Sequence, residues 1–185
     1  MNSKSFIGLI ILLFFGVGCQ DEPIPKPKAK MRLEYPEGDL AELETENFSF
    51  KYNQLAKPEL NNDKAFTITY PDMNGAIFLS YKKVDNNLDQ LINDSKRLSY
   101  EHAAKADNIV EQPYVNPRDK VYGALFEVQG NAASQSQFFV TDSTEHFLTG
   151  SVYFYTKPNY DSILPAASYL QNDIRNIIET LRWKN

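Results

Sequence analysis

A single cysteine, Cys19, stands in the whole chain, so no disulfide can form within it. Only two histidines occur, His102 and His146, and neither belongs to a Cys/His spacing of the zinc-binding kind. Acidic residues outnumber basic ones, 24 to 19, for a formal charge of −5. Phosphate contacts need clustered Lys and Arg, so nucleic acid is excluded as an expected partner. The longest apolar run, Phe6–Phe15, is shorter than the roughly 20 residues that cross a bilayer as a helix. Gly130 stands without the further glycines of a phosphate loop, and no G-x-S-x-G elbow is present. These absences leave no expected cofactor and no expected metal.

What the chain does have begins at its N-terminus. Met1–Lys4 carries one lysine, Phe6–Phe15 is apolar, Gly16–Val17–Gly18 is small, and Cys19 follows at once. A charged start, a short apolar core and a small-residue cut point make a secretory signal. With cysteine at the cut, the segment looks like a bacterial lipoprotein signal, although Gly16 stands where many such signals carry Leu. In that class the thiol is acylated, palmitate being one of the chains, and becomes the first residue of the mature protein. One acyl chain holds a membrane marginally and two or more hold it stably. The expected partner of Cys19 is therefore a lipid bilayer, with the chain anchored on it rather than spanning it.

Three prolines and three lysines crowd Asp21–Lys30, which has almost nothing to bury. Proline-rich segments are extended, at about 3.1 Å per residue, and this one reads as a stalk. Its lysines are either solvated or in touch with anionic headgroups. The organisation is thus residues 1–18 as leader, 19–30 as acylated cysteine and stalk, and 31–185 as one globular domain.

Within that domain the hydrophobic period changes several times. Phe48–Tyr52, Ala65–Tyr70 and Ala76–Val84 alternate as half-buried strands, with Asp72–Gly75 as a turn. Asn86–Ala106 has helical spacing in Leu88, Leu91, Ile92, Ser95, Leu98 and His102, and Asp85 or Asn86 can cap it. Strand chemistry returns in Val121–Gln129, Ser136–Thr141 and Phe147–Thr156, where Gly123 and Gly150 mark bulges or close backbone approaches. Ser162–Leu181 closes the chain as a helix with the stripe Ile163, Ala167, Leu170, Ile174, Ile177, Ile178 and Leu181. Asp161 or Ser162 would cap it, with Pro165 in its first turn. Grouped strands with two flanking helices predict an α+β fold, an antiparallel sheet with two packed helices. By element order alone this resembles a small PsbP-like sandwich.

Catalytic residues are expected to be absent, and the chain is expected not to be an enzyme. His146 near Asp142, with Ser134 or Ser143, is the nearest approach to a nucleophile, base and acid set. Gly130–Gln137 reads either as a hairpin loop bonded to itself or as a recognition loop on a rigid sheet. Asn131, Ser134, Gln137, Asp142 and His146 are the candidate partner surface. Asp142-Ser143-Thr144 and Asp161-Ser162-Ile163 resemble a short periplasmic O-glycosylation pattern, which makes Ser143 and Ser162 candidate acceptors; each also has a reading as turn and cap.

An ordered set of short stretches resembles a known family. It includes Ile77–Lys82, Asn93–Ser95, Lys105–Asp107, Tyr122-Gly123, Gly130–Ser134, Gln137-Phe138, Thr141–Ser143, His146–Leu148, Val152–Phe154, Pro158–Ser162, Asp173-Ile174 and Trp183-Lys184. Together they look like the gliding-motility lipoprotein GldD family of Bacteroidota. The resemblance implies a cell-envelope lipoprotein, an accessory of the gliding and type IX secretion machinery, with other envelope proteins of that machinery as partners. It carries over no catalytic residue, and by position only the acylated Cys19. Gln20-Asp21-Glu22 imperfectly resembles surface-export signals, and an outer-membrane, periplasm-facing location is the expectation. The alternative is an envelope lipoprotein that binds a glycan or cell-wall fragment through its aromatic residues.

Overall fold

The computed structural model describes residues 34–62, 64–101, 105–156 and 159–184. Cys19, the leader, the stalk and His102 lie outside the described residues. The elements run β1 (Leu40–Glu44), β2 (Phe48–Asn53), β3 (Lys57–Asn62), β4 (Ala65–Tyr70), β5 (Gly75–Lys83), α1 (Leu88–Glu101), β6 (Ala106–Asn116), β7 (Val121–Gly130), β8 (Ser136–Thr141), β9 (His146–Phe154), α2 (Tyr160–Thr180) and β10 (Arg182–Trp183). The fold is α+β, as the sequence predicts.

Two antiparallel sheets form, one in the order β3-β4-β5-β9-β8-β7-β6 and one in the order β1-β2-β10. The strand period places Ile77, Leu79 and Tyr81 of β5 on one face of the large sheet with Phe66, Ile68 and Tyr70 of β4. That face meets α2, whose Leu170, Ile174, Ile177 and Ile178 are buried together with Phe48 and Phe50 of β2. The helix thus packs on both sheets. The opposite face carries a smaller cluster, Ala124, Phe126, Phe139 and Phe147, covered by Leu88, Leu91 and Ile92 of α1. Among the described residues no helix is long and apolar enough to cross a membrane.

Four strands are absent from the sequence reading: β1, β3, β6 and β10. All four are sheet edges. An edge strand needs no strict alternation and tolerates proline, which removes a ladder donor. Pro58 lies in β3 and Pro113 in β6. Asn86–Ala106 also ends differently: the described part of α1 is Leu88–Glu101, and Ala106 already pairs with Gly130 in β6.

The helix starts need correction as well. Asn86 takes a left-handed φ of 51°, the Asn87 carbonyl accepts the N–H of Leu91 at 3.0 Å, and α1 begins at Leu88. At α2 the cap position is Asn159, not Asp161 or Ser162, and its side chain makes no capping bond. Asn131 does that work from 29 residues away, its Oδ1 accepting the Tyr160 N–H at 2.9 Å. Pro165 therefore falls inside the helix rather than in its first turn.

Gly123 and Gly150 are close approaches, not bulges, because the pairing is regular at both. A Cβ on Gly123 would meet the backbone carbonyl of Phe139, and one on Gly150 the ring of Phe138. A ring can turn, but a carbonyl held in a ladder cannot. Gly123→Ala is expected to cost about 2–3 kcal/mol, the upper part of the usual overpacking range, and to lower Tm by roughly 5–10 °C. Urea and thermal unfolding check this. An unchanged midpoint would show that β7 and β8 can separate there.

Candidate functional site

The turn after β8 orders itself around one carboxylate. Asp142 Oδ1 accepts the N–H groups of Thr144 (2.9 Å), Glu145 (2.9 Å) and His146 (2.8 Å), and Oδ2 accepts the Thr144 hydroxyl at 2.7 Å. Partial burial pushes the Asp142 carboxyl up, but these donors outweigh it and hold it down at about 2. Ser143 sits exposed at a left-handed φ of 72°. His146 turns inward, 6% exposed. Its Nδ1 is 2.8 Å from the Tyr81 hydroxyl, and its ring stacks on Trp183 with centroids 5.1 Å apart. Trp183 in turn donates Nε1–H to the Lys120 carbonyl at 3.0 Å.

Asp142 is therefore spent on backbone, and His146 on Tyr81 and Trp183. No hydrogen bond joins either side chain to a serine hydroxyl among the described residues. Ser134 Oγ donates to the Ser136 carbonyl at 3.1 Å, away from both.

The Gly130–Gln137 loop is bonded to itself and to its neighbours. Gln135 Nε2–H donates to the Ala132 carbonyl (2.7 Å), and Gln137 Oε1 accepts the Ser99 hydroxyl (3.1 Å). Ser134 and Gln137 are buried, so with His146 they leave the candidate partner surface. Asn131 is exposed but engaged as the α2 cap, and Asp142 is half-buried. Of the five residues, the structure joins Asp142 and His146 in one turn, places Asn131 and Ser134 in the loop before β8, and puts Gln137 in β8 itself. Ser162 is exposed on the first turn of α2.

One concave feature was not singled out from the sequence. A cleft of ≈ 350 Å³ lies where the chain enters the domain, between Tyr35, Glu37 and Leu40 on one side and Asn53, Tyr169, Asn172, Asp173 and Asn176 on the other. Asp173 is 6% exposed; the Tyr70 hydroxyl lies beside it, and it receives long bonds from Asn53 Nδ2 (3.2 Å) and Asn176 Nδ2 (3.5 Å). Burial pushes its carboxyl above the ordinary range, against those hydrogen bonds. Behind it, the buried Tyr70 hydroxyl has no hydrogen-bond partner of good geometry. Its pKa is also raised, by burial first and then by the charge of Asp173 beside it. A signal did exist: Asp173 interrupts the apolar stripe between Leu170 and Ile174.

A second groove of ≈ 310 Å³ runs between α1 and the strands β5 and β9, with Lys82, Asp94, Arg97 and Glu101 at its rim. Its charges are balanced, whereas the Asp173 cleft is acidic. Among the described residues no group of three His, Cys, Asp or Glu could hold a metal.

An α+β domain behind a lipoprotein-type leader is the build of an envelope protein hung from a membrane by its N-terminus. A family model, gliding motility lipoprotein GldD, matches residues 20–183, and the chain belongs to that family. It is accordingly a gliding-motility-related lipoprotein, anchored at a membrane of the cell envelope. No curated protein matches the chain.

The two carboxylates act on stability with opposite signs. The lowered Asp142 contributes stability that is complete above its unfolded value near 3.8 and is lost as pH falls through about 2. Asp142→Asn should cost roughly 1–2 kcal/mol at pH 7 and progressively less below pH 4. The raised Asp173 favours the fold below its unfolded value, and that advantage is lost as pH rises through its folded value. Asp173→Asn should therefore match or exceed the wild-type Tm at pH 7, with the difference shrinking toward pH 3. Thermal unfolding from pH 3 to 7 tests both. A difference for Asp173→Asn that does not grow with pH would contradict the assignment.

Proposed function

We propose that this chain is a non-enzymatic, lipid-anchored component that supports the assembly or stability of the gliding and type IX secretion machinery. The observation that carries the reading is the family match, which runs over nearly the whole chain behind an acylatable Cys19. The engagement of Asp142, Ser134 and His146 in contacts that hold the fold together supports a role without catalysis. In this reading Cys19 carries the acyl chains, and the domain hangs from the outer membrane into the periplasm. Its partners are other envelope proteins of the same machinery. The turn residues Ser143, Thr144 and Glu145 are exposed, and a partner contact there leaves the core untouched.

Deletion of the gene in the source organism tests the proposal, scored for colony spreading and for release of type IX cargo. Complementation uses wild type and Cys19→Ala in parallel. Loss of both activities, restored by wild type and not by Cys19→Ala, is the expected result. Normal spreading with normal cargo release in the deletion strain would overturn it.

A further inference from the structure

The cleft at Asp173 has features that its packing does not explain. Its one deep charge is a carboxylate with four lone-pair sites, two long amide donors and the Tyr70 hydroxyl beside it, and no cation among the described residues. The side chains that could have satisfied it are engaged elsewhere. The Tyr169 hydroxyl accepts from Asn53 at 2.7 Å and donates to the Pro36 carbonyl at 2.7 Å, and the Asn53 Oδ1 is taken by the Leu55 N–H at 3.0 Å. Tyr70, 2% exposed on β4, points its hydroxyl at the same carboxylate, which is the one polar group it meets among the described residues, although the bond between them lacks good geometry. The charged and titratable groups facing Asp173 are Tyr70 from β4, Tyr169 from α2 and Glu37 from the entering segment. No Lys, Arg or His lines the cleft among the described residues. Buried carboxylates are ordinarily paired, because an isolated charge costs several kcal/mol to desolvate.

We infer that this cleft binds an alkylammonium group, as on a lysine side chain, with its stem along Tyr35 and Leu40 and its charge on the Asp173 carboxylate. The shape fits a slender apolar stem with a compact charged tip. Tyr35 and Leu40 supply the apolar flank, and Tyr35 meets Tyr169 edge-on with centroids 5.6 Å apart. The ammonium carries three donors for the carboxylate and the neighbouring amide oxygens of Asn172 and Asn176. Glu37 at the mouth adds a second negative charge. A metal ion fits less well, since three acidic or histidine ligands are not brought together among the described residues. Two sources offer this chemistry: an external lysine-bearing ligand, or Lys26, Lys28 and Lys30 of the stalk, which precede Tyr35 closely in the chain.

The test titrates the full chain in nonionic detergent with Nα-acetyl-lysine methylamide. The uncharged control is Nα-acetyl-norleucine methylamide, and side-chain amide signals of Asn53, Asn172 and Asn176 are followed by NMR. Saturable shifts with the lysine probe, none with norleucine, and binding at least tenfold weaker in Asp173→Asn are expected. Glu37→Gln, at an exposed rim position, should weaken binding a few-fold with Tm unchanged, which separates ligand loss from misfolding. The Lys26→Gln/Lys28→Gln/Lys30→Gln chain distinguishes the sources. Tighter binding of the probe by that chain than by wild type assigns the site to the stalk, and equal binding assigns it to an external ligand. No saturable response from either chain, or an equal response to norleucine or from Asp173→Asn, would overturn the inference.

Discussion

Everything in this domain leans on the buried stripe of the C-terminal helix. Leu170, Ile174, Ile177 and Ile178 touch the large sheet, and the same helix packs on β2 of the small one. The apolar faces of the two sheets thus share one cover. Phe48 shows how tightly the parts meet: its ring lies 5.6 Å from Phe66 of the large sheet and 6.3 Å from Trp183 at the end of the chain. Burying side chains of this size contributes about 1.5–3 kcal/mol each, so loss of the helix would expose both sheets at once.

How much was legible in the sequence follows from where each residue sits. The interior strands were legible, β2, β4 and β5 by alternation and β7, β8 and β9 by their aromatic and branched side chains, because a strand with neighbours on both sides must pack what it carries. The edges β1, β3, β6 and β10 are under no such demand, and Lys57-Pro58-Glu59 reads as a loop although it pairs in register with Ile68 and its neighbours. The stripe of α2 was legible in full, since all seven of its residues are buried or nearly so. Its cap was not, because Asn131 reaches Tyr160 through tertiary contact alone.

The candidate site was less legible for the same reason. Gly130–Gln137 allowed two readings, a hairpin loop bonded to itself or a recognition loop, and Ser134, Gln135 and Gln137, which point inward and bond to the chain itself, bear out the first for those residues. Small polar side chains can bury when partners lie within the loop, and composition does not reveal those partners. Conversely, Asp173 looked like one more acid on an amphipathic helix. Its meaning arises only when β2, β4 and the entering segment converge on it. The fold places a favourably solvated carboxylate in the Asp142 turn and a poorly satisfied one in the cleft, which is the distinction that separates scaffolding from a candidate for binding.

The order of the elements along the chain has a consequence for how the protein is made. β5 waits for β9, some seventy residues later, and the shared cover of both sheets arrives only with Tyr160–Thr180. Trp183, which closes over His146 and Phe48, follows that helix in the chain. Until this helix has been made, the apolar faces of both sheets lack their shared cover. For a lipoprotein that crosses a membrane before it folds, that order of elements delays closure of the core until the helix has emerged.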